Sequence, residues 1–290
     1  MRARYPDIEG HVERGGVRLG YEVFGETNQP NILLLPTWTI IHSRFWKMQV
    51  PYLATRYRVI TYDGPGNGRS DRVTDPERYS ADSYALDAEA ILRACGADSA
   101  IVVGLSLGAG YGVRLATMRP ELVSALVMIG PSIPLTPASP QREKTFQAFL
   151  RPAPDNPDGW QKYNLAYWRS NYRDFVEFFF SQSFPEPHST KPIEDSVRWA
   201  AETGPEILEA EALKPPVEDP WDQLVGQVAC PTLVIHGTSD QISPHARGVR
   251  AAELSGARLV TMEGSGHIPN VRDPVKVNLA LREFVDGVAS

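Results

Sequence analysis

Short apolar runs recur along the chain with helical periodicity between them, and this alternation restricts the fold more than any other feature of the sequence. Residues 31–35, 57–62, 100–103, 125–129 and 232–235 each read as a strand buried on both faces, and residues 257–262 as a weaker one. Residues 80–95 place Tyr84, Ala88, Ile91 and Cys95 on one helical face, with Gly96 as the stop. Residues 274–285 set Val277, Leu281 and Phe284 on one face and predict a closing helix. Such alternation predicts an α/β protein whose mostly parallel central sheet is flanked by helices. Ahead of these elements, residues 11–24 carry Gly15-Gly16 between two extended arms and predict an antiparallel hairpin at the sheet edge.

The alternation lapses over residues 135–219, where prolines are frequent and no strand pattern occurs. Residues 141–200 hold 13 of the 27 aromatic side chains of the chain, so this stretch differs in kind from the rest. The simplest organisation is an α/β core of residues 1–134 and 220–290 interrupted by a helical insertion, residues 135–219. Thirteen aromatics exceed what one small helical layer needs for its own packing. Some of them, from the set Trp160, Tyr163, Tyr167, Trp168 and Phe179, are therefore expected to face a substrate.

Composition removes several function classes. With 29 basic against 35 acidic residues the net charge is −6, which argues against nucleic acid or an anionic membrane surface as the main partner. Two cysteines are too few for a disulfide framework or a thiolate metal site. No run of 18 apolar residues occurs, and the opening Met-Arg-Ala-Arg-Tyr-Pro-Asp lacks the apolar stretch of a signal peptide, so a soluble cytoplasmic protein is expected. His11, His188 and His245 show no metal-ligand spacing, and no phosphate-binding fingerprint follows Gly64, Gly66 and Gly68. Neither metal nor cofactor is expected; monomer and homodimer both stay open.

The chemistry concentrates at three places. The strand at residues 100–103 runs into Gly104-Leu105-Ser106-Leu107-Gly108, and a helical stretch follows to Met118. This G-x-S-x-G pattern between strand and helix is the arrangement of a nucleophile elbow, in which side chains at 104 and 108 would collide with their neighbours while Ser106 is pushed into the open. A serine hydroxyl needs a base, and the base needs a group to orient it. Asp240 follows the strand at 232–235, and His267 follows the weaker strand ending at Met262. Taken singly, an Asp in a turn or a His in a glycine-rich loop is most often a turn residue. Together they stand at the strand ends where open α/β sheets build sites, in the order Ser, Asp, His that the elbow predicts. His236, at the end of its strand, reads as a residue making one backbone hydrogen bond.

These segments, with Tyr62-Asp-Gly-Pro-Gly-Asn-Gly-Arg-Ser-Asp71, resemble the α/β-hydrolase superfamily over nearly the whole chain. The resemblance implies a cap inserted after the sixth strand, a structural role for the loop at 63–71, and a catalytic triad of Ser106, Asp240 and His267. It also implies an oxyanion hole built from the N–H groups of Leu107 and Trp38. Similar family members carry His-Gly after the third strand; here the loop reads Pro36-Thr37-Trp38-Thr39-Ile40-Ile41-His42, and Pro36 has no N–H to give. Thr37 and His42 are either extra polar groups of the site or capping and packing residues before a helix near 43–52. The activity so implied is cleavage of a carboxylic ester or lactone of an apolar or aromatic small molecule through an acyl-enzyme. A thioesterase, a C–C bond hydrolase, a perhydrolase and a ligand-binding homologue with little turnover are the alternatives.

Overall fold

A computed structural model describes residues 4–215 and 219–288. Residues 216–218 of the expected insertion and both extreme ends of the expected core, 1–3 and 289–290, lie outside the described residues. Eight strands form one sheet: β1 (Ile8–Arg14), β2 (Val17–Phe24), β3 (Asn31–Leu34), β4 (Arg58–Tyr62), β5 (Ala100–Leu105), β6 (Val123–Ile129), β7 (Thr232–Gly237) and β8 (Arg258–Met262). Their order is β1-β2-β4-β3-β5-β6-β7-β8. The hairpin β1–β2 joins β4 antiparallel, and every pairing from β4 to β8 is parallel.

Side chains of the central strands alternate between two cores. Ile32, Leu34, Ile101, Val103, Ala125 and Val127 point into one, and Leu33, Leu35, Ala100, Val102, Leu126 and Met128 into the other. Because both faces are buried, the strands read as continuous apolar runs. The short helix α1 (Val50–Leu53) follows a 3-10 turn, Ser43–Met48. Helix α2 (Ala81–Ala94) is capped by the Ser80 hydroxyl, which accepts the Ser83 N–H at 3.1 Å, and α3 (Leu107–Met118) follows β5 directly.

Between β6 and β7 the described residues form no strand. Here lie α4 (Pro140–Ala148), α5 (Leu165–Ser183), α6 (Thr190–Ala200) and α7 (Pro205–Ala212). Trp168, Phe175, Val176 and Phe180 of α5 are buried and continuous with the core that includes Ile32 and Ile101, whereas Ile207 and Ala210 of α7 join the other core; the inserted helices are termed the cap. Helices α8 (Trp221–Gly226), α9 (His245–Ser255), α10 (Pro269–Arg272) and α11 (Pro274–Val288) complete the chain. Among the described residues no helix is long and apolar enough to cross a membrane.

Candidate active site

Ser106 sits between β5 and α3 with φ 58° and ψ −116°, a left-handed backbone that a non-glycine residue adopts only when its surroundings hold it there. The backbone supplies that hold. Ser106 N–H donates to Ile129 O at 2.9 Å, and Ser106 O accepts the Ser132 N–H at 3.1 Å, fixing the turn to the end of β6. A Cβ at Gly104 would lie 2.1 Å from Gly108 O, and one at Gly108 would lie 2.4 Å from Pro36 O. Both glycines are therefore steric requirements, and the second brings the loop after β3 against the elbow.

His267 Nε2 lies 2.9 Å from Ser106 Oγ, and its Nδ1 lies 2.7 Å from Asp240 Oδ2. The His267 loop is tied to the cap: its N–H donates to Ser183 O at 3.1 Å, and the Gly266 N–H donates to Glu186 Oε1 at 2.6 Å. Asp240 is buried by its neighbours yet fully engaged. Oδ1 accepts the N–H groups of Ile242 at 2.7 Å and Ser243 at 2.8 Å, while Oδ2 also lies 3.0 Å from His236 Nε2. Burial alone would raise the Asp240 carboxyl; the neighbouring His267 and the hydrogen bonds from His236 and His267 outweigh it and hold the group well below the usual carboxylate range. An ionised Asp240 accepts from Nδ1–H of His267, which leaves Nε2 as an acceptor for the Ser106 hydroxyl.

His236 thus does more than the single backbone bond expected of it. Its Nε2 is shared between Asp240 Oδ2 and Ser243 O at 3.1 Å, and a glycine on α9 makes room for the ring: a Cβ at Gly248 would fall 2.3 Å from His236 Nδ1. Ser132 is a second group the sequence did not single out. Its Oγ stands 3.1 Å from Ser106 Oγ, and with Ser106 donating to His267 it is the donor of that pair.

Leu107 opens α3, so its N–H has no acceptor within the helix. Across the elbow, the loop carrying Trp38 is held by the cap: Thr39 Oγ1 and Thr39 N–H both donate to Glu211 Oε2 of α7, at 2.5 and 3.4 Å. The Trp38 ring packs 4.4 Å from that of Phe179, centre to centre. Ser106, His267, Leu107, Trp38 and Thr37 all line one cavity of about 200 Å3, and Tyr163 and Phe179 close it from the cap. His42 does not reach it. It is buried, caps the turn at Ser43–Met48 by accepting the Arg44 N–H on Nδ1, and faces Glu202 on its other side. Burial lowers its pKa, against the pull of Asp63 and Glu202.

Of the five aromatics among which substrate-facing residues are expected, Tyr163 and Phe179 line the cavity and three lie elsewhere. Trp168 is fully buried in the cap core, Tyr167 turns outward to donate its hydroxyl to Asp174 at 2.7 Å, and Trp160 lies behind Arg142. For Tyr167 and Trp168 helical phase decides this, since α5 has non-helical torsions at Asn171 and no single periodicity describes its two halves, while Trp160 lies in a separate 3-10 turn, Gly159–Lys162. Arg142 and Arg247, which the sequence gave no reason to single out, also line the cavity, as do Phe180 and Trp199.

The family described as the alpha/beta hydrolase fold matches residues 30–274. A putative carbamate hydrolase RutD from Klebsiella pneumoniae is 29% identical over 242 residues, 82% of this chain and 85% of that protein. The karrikin insensitive 2 receptor IA of Petunia hybrida is 27% identical over 254 residues, 84% of this chain and 87% of the receptor. Among solved structures, an esterase from Exiguobacterium antarcticum superposes with a TM-score of 0.81 at 18% identity, covering 96% of this chain and all of the other.

Proposed function

The chain belongs to the α/β-hydrolase family, and from that premise and the site geometry we propose that it is a serine hydrolase cleaving a small carboxylic ester or lactone. The observation that carries the reading is the unbroken chain of contacts Ser106 Oγ–His267 Nε2 at 2.9 Å and His267 Nδ1–Asp240 Oδ2 at 2.7 Å, opening on a cavity. Ser106 attacks the carbonyl carbon as His267 takes its proton. Asp240, already ionised, stabilises the imidazolium so formed. The Leu107 and Trp38 N–H groups hold the oxyanion. His267 returns the proton to the departing alcohol, and water, activated by the same imidazole, releases the acid from Ser106.

The relative named a carbamate hydrolase supports acyl-carbon chemistry of this kind. The Petunia receptor supports a second reading, a ligand-binding homologue whose turnover is incidental. One experiment separates them. A fluorophosphonate probe should label Ser106 in the wild type and not in Ser106→Ala, and that variant should lose on the order of 10³-fold or more in kcat on 4-nitrophenyl butyrate with its fold intact. Turnover of the ester by Ser106→Ala at the wild-type rate would remove the mechanism. Absent turnover in the wild type, with tight ligand binding, would favour the receptor.

A further inference from the structure

The cavity beside Ser106 carries two cations and, among the described residues that line it, no carboxylate. Arg142 is 7% exposed, and its Nε and Nη1 have no hydrogen-bond partner. The guanidinium lies instead against three rings, 4.0 Å from the centre of Trp160, 4.8 Å from Phe146 and 5.0 Å from Tyr163. Ring faces attract a cation but leave its in-plane N–H groups unsatisfied. Arg247, in the first turn of α9, enters the same cavity, with Nε donating to Thr136 O at 3.0 Å. Neither arginine is ion-paired among the described residues.

Burial pushes both guanidinium groups below their usual range, and Arg247 adds to the effect on Arg142, against the pull of Asp240 on both and of Glu143 on Arg247. Two like charges lining a largely apolar space are costly to keep unpaired. A planar anion is the natural complement, because the guanidinium fork matches a carboxylate with two parallel hydrogen bonds.

We propose that the substrate carries a carboxylate in addition to its scissile ester or lactone, and that Arg142 and Arg247 pair with that carboxylate. Trp160 and Tyr163 then hold Arg142 in place from behind. The cavity suits a small acid derivative, such as the half-ester of a short dicarboxylic acid. This assignment rests on the hydrolase reading of Ser106, so its test must be able to fail separately.

The matched pair 4-nitrophenyl hemiglutarate and 4-nitrophenyl pentanoate differ by a carboxylate in place of a terminal methyl. In the wild type the ratio of their kcat/KM values should favour the hemiglutarate by about tenfold or more. In Arg247→Met and Arg142→Met the ratio should fall towards one. Arg247 is only partly buried, so its variant carries the test even where Arg142→Met does not fold. A wild-type ratio of one or below, with Ser106-dependent turnover intact, overturns the carboxylate site and leaves the hydrolase reading standing. Where neither ester is turned over, calorimetric titration with glutarate decides: binding that Arg247→Met weakens supports the site, and no binding overturns it.

Discussion

The two walls of the cavity treat buried charge in opposite ways. On the wall built from the sheet's carboxyl-end loops, Asp240 engages donors on both oxygens: two backbone N–H groups on one, His236 and His267 on the other. On the cap side, Arg142 keeps Nε and Nη1 without partners, and Glu211, behind the cavity lining, keeps Oε1 without one. A carboxylate with donors on both oxygens is held in one geometry, as a group that must orient an imidazole requires. A charge left open is a cost in the empty protein that a complementary ligand can repay. The difference separates the parts that perform chemistry from the parts that choose what enters.

The largest expected effect breaks the satisfied wall. Asp240→Asn keeps the shape but offers His267 a neutral partner that can present an N–H where an acceptor is needed, so kcat should fall by on the order of 10⁴-fold. Stability gives an independent reading. A carboxylate whose folded pKa lies below its unfolded value of about 3.9 contributes stability that is full above that value and lost as pH falls towards the folded one. Urea midpoints should therefore show the wild type more stable than Asp240→Asn at neutral pH, with the gap closing below about pH 4. A gap that persists unchanged into acid would mean that the charge of Asp240 contributes nothing to the fold.

Within the cap, two aromatics sharpen the contrast. Trp168 is fully buried and outside the cavity lining, whereas Phe179 lines the cavity and touches Trp38. Trp168→Ala should cost about 3 to 5 kcal/mol of stability and leave acyl-chain preference alone. Phe179→Ala should change that preference, raising KM for longer acyl esters by roughly tenfold relative to acetates, in line with about 1 to 3 kcal/mol of lost apolar burial. If both variants lower Tm and neither shifts the preference, the cap aromatics are a packed core on this side as well.

The same contrast explains what could be read from residues alone. Sheet and elbow were legible because each position admits few alternatives: a Cβ at 104 or 108 meets backbone, and strands buried on both faces must be continuously apolar. Ser106, Asp240 and His267 lie at strand ends, and the parallel sheet brings strand ends to one edge, so their meeting follows from topology. His236 was under-read because the gap left for its ring by Gly248 is a contact between distant residues. In the cap one residue type serves both as packing and as cavity wall, and only helix phase separates the roles. Arg142 was invisible for a related reason: α4 has no apolar periodicity, so its buried face of Arg142 and Thr145 looks like solvent-facing sequence.

The smallest expected effect tests whether the cap truly tolerates an unsatisfied charge. Glu211 is buried, and burial raises its carboxyl pKa despite the opposing charge of Lys214 and the hydrogen bonds from Thr39. A carboxyl raised above its unfolded value of about 4.3 is penalised in the folded protein once pH passes that value, and the penalty levels off above the folded pKa. Below about pH 4 both states are protonated and the penalty is absent. Glu211→Gln removes the titrating group while keeping an oxygen for Thr39. It should therefore gain about 1 kcal/mol over the wild type at neutral pH and nothing in acid, measured by urea unfolding across that range. A variant that is less stable at neutral pH, with a deficit that vanishes below pH 4, would show that the Glu211 carboxylate is held as favourably as that of Asp240. The two walls would then differ in Arg142 alone, and the open charge of the cavity would belong to the arginine pair rather than to the cap as a whole.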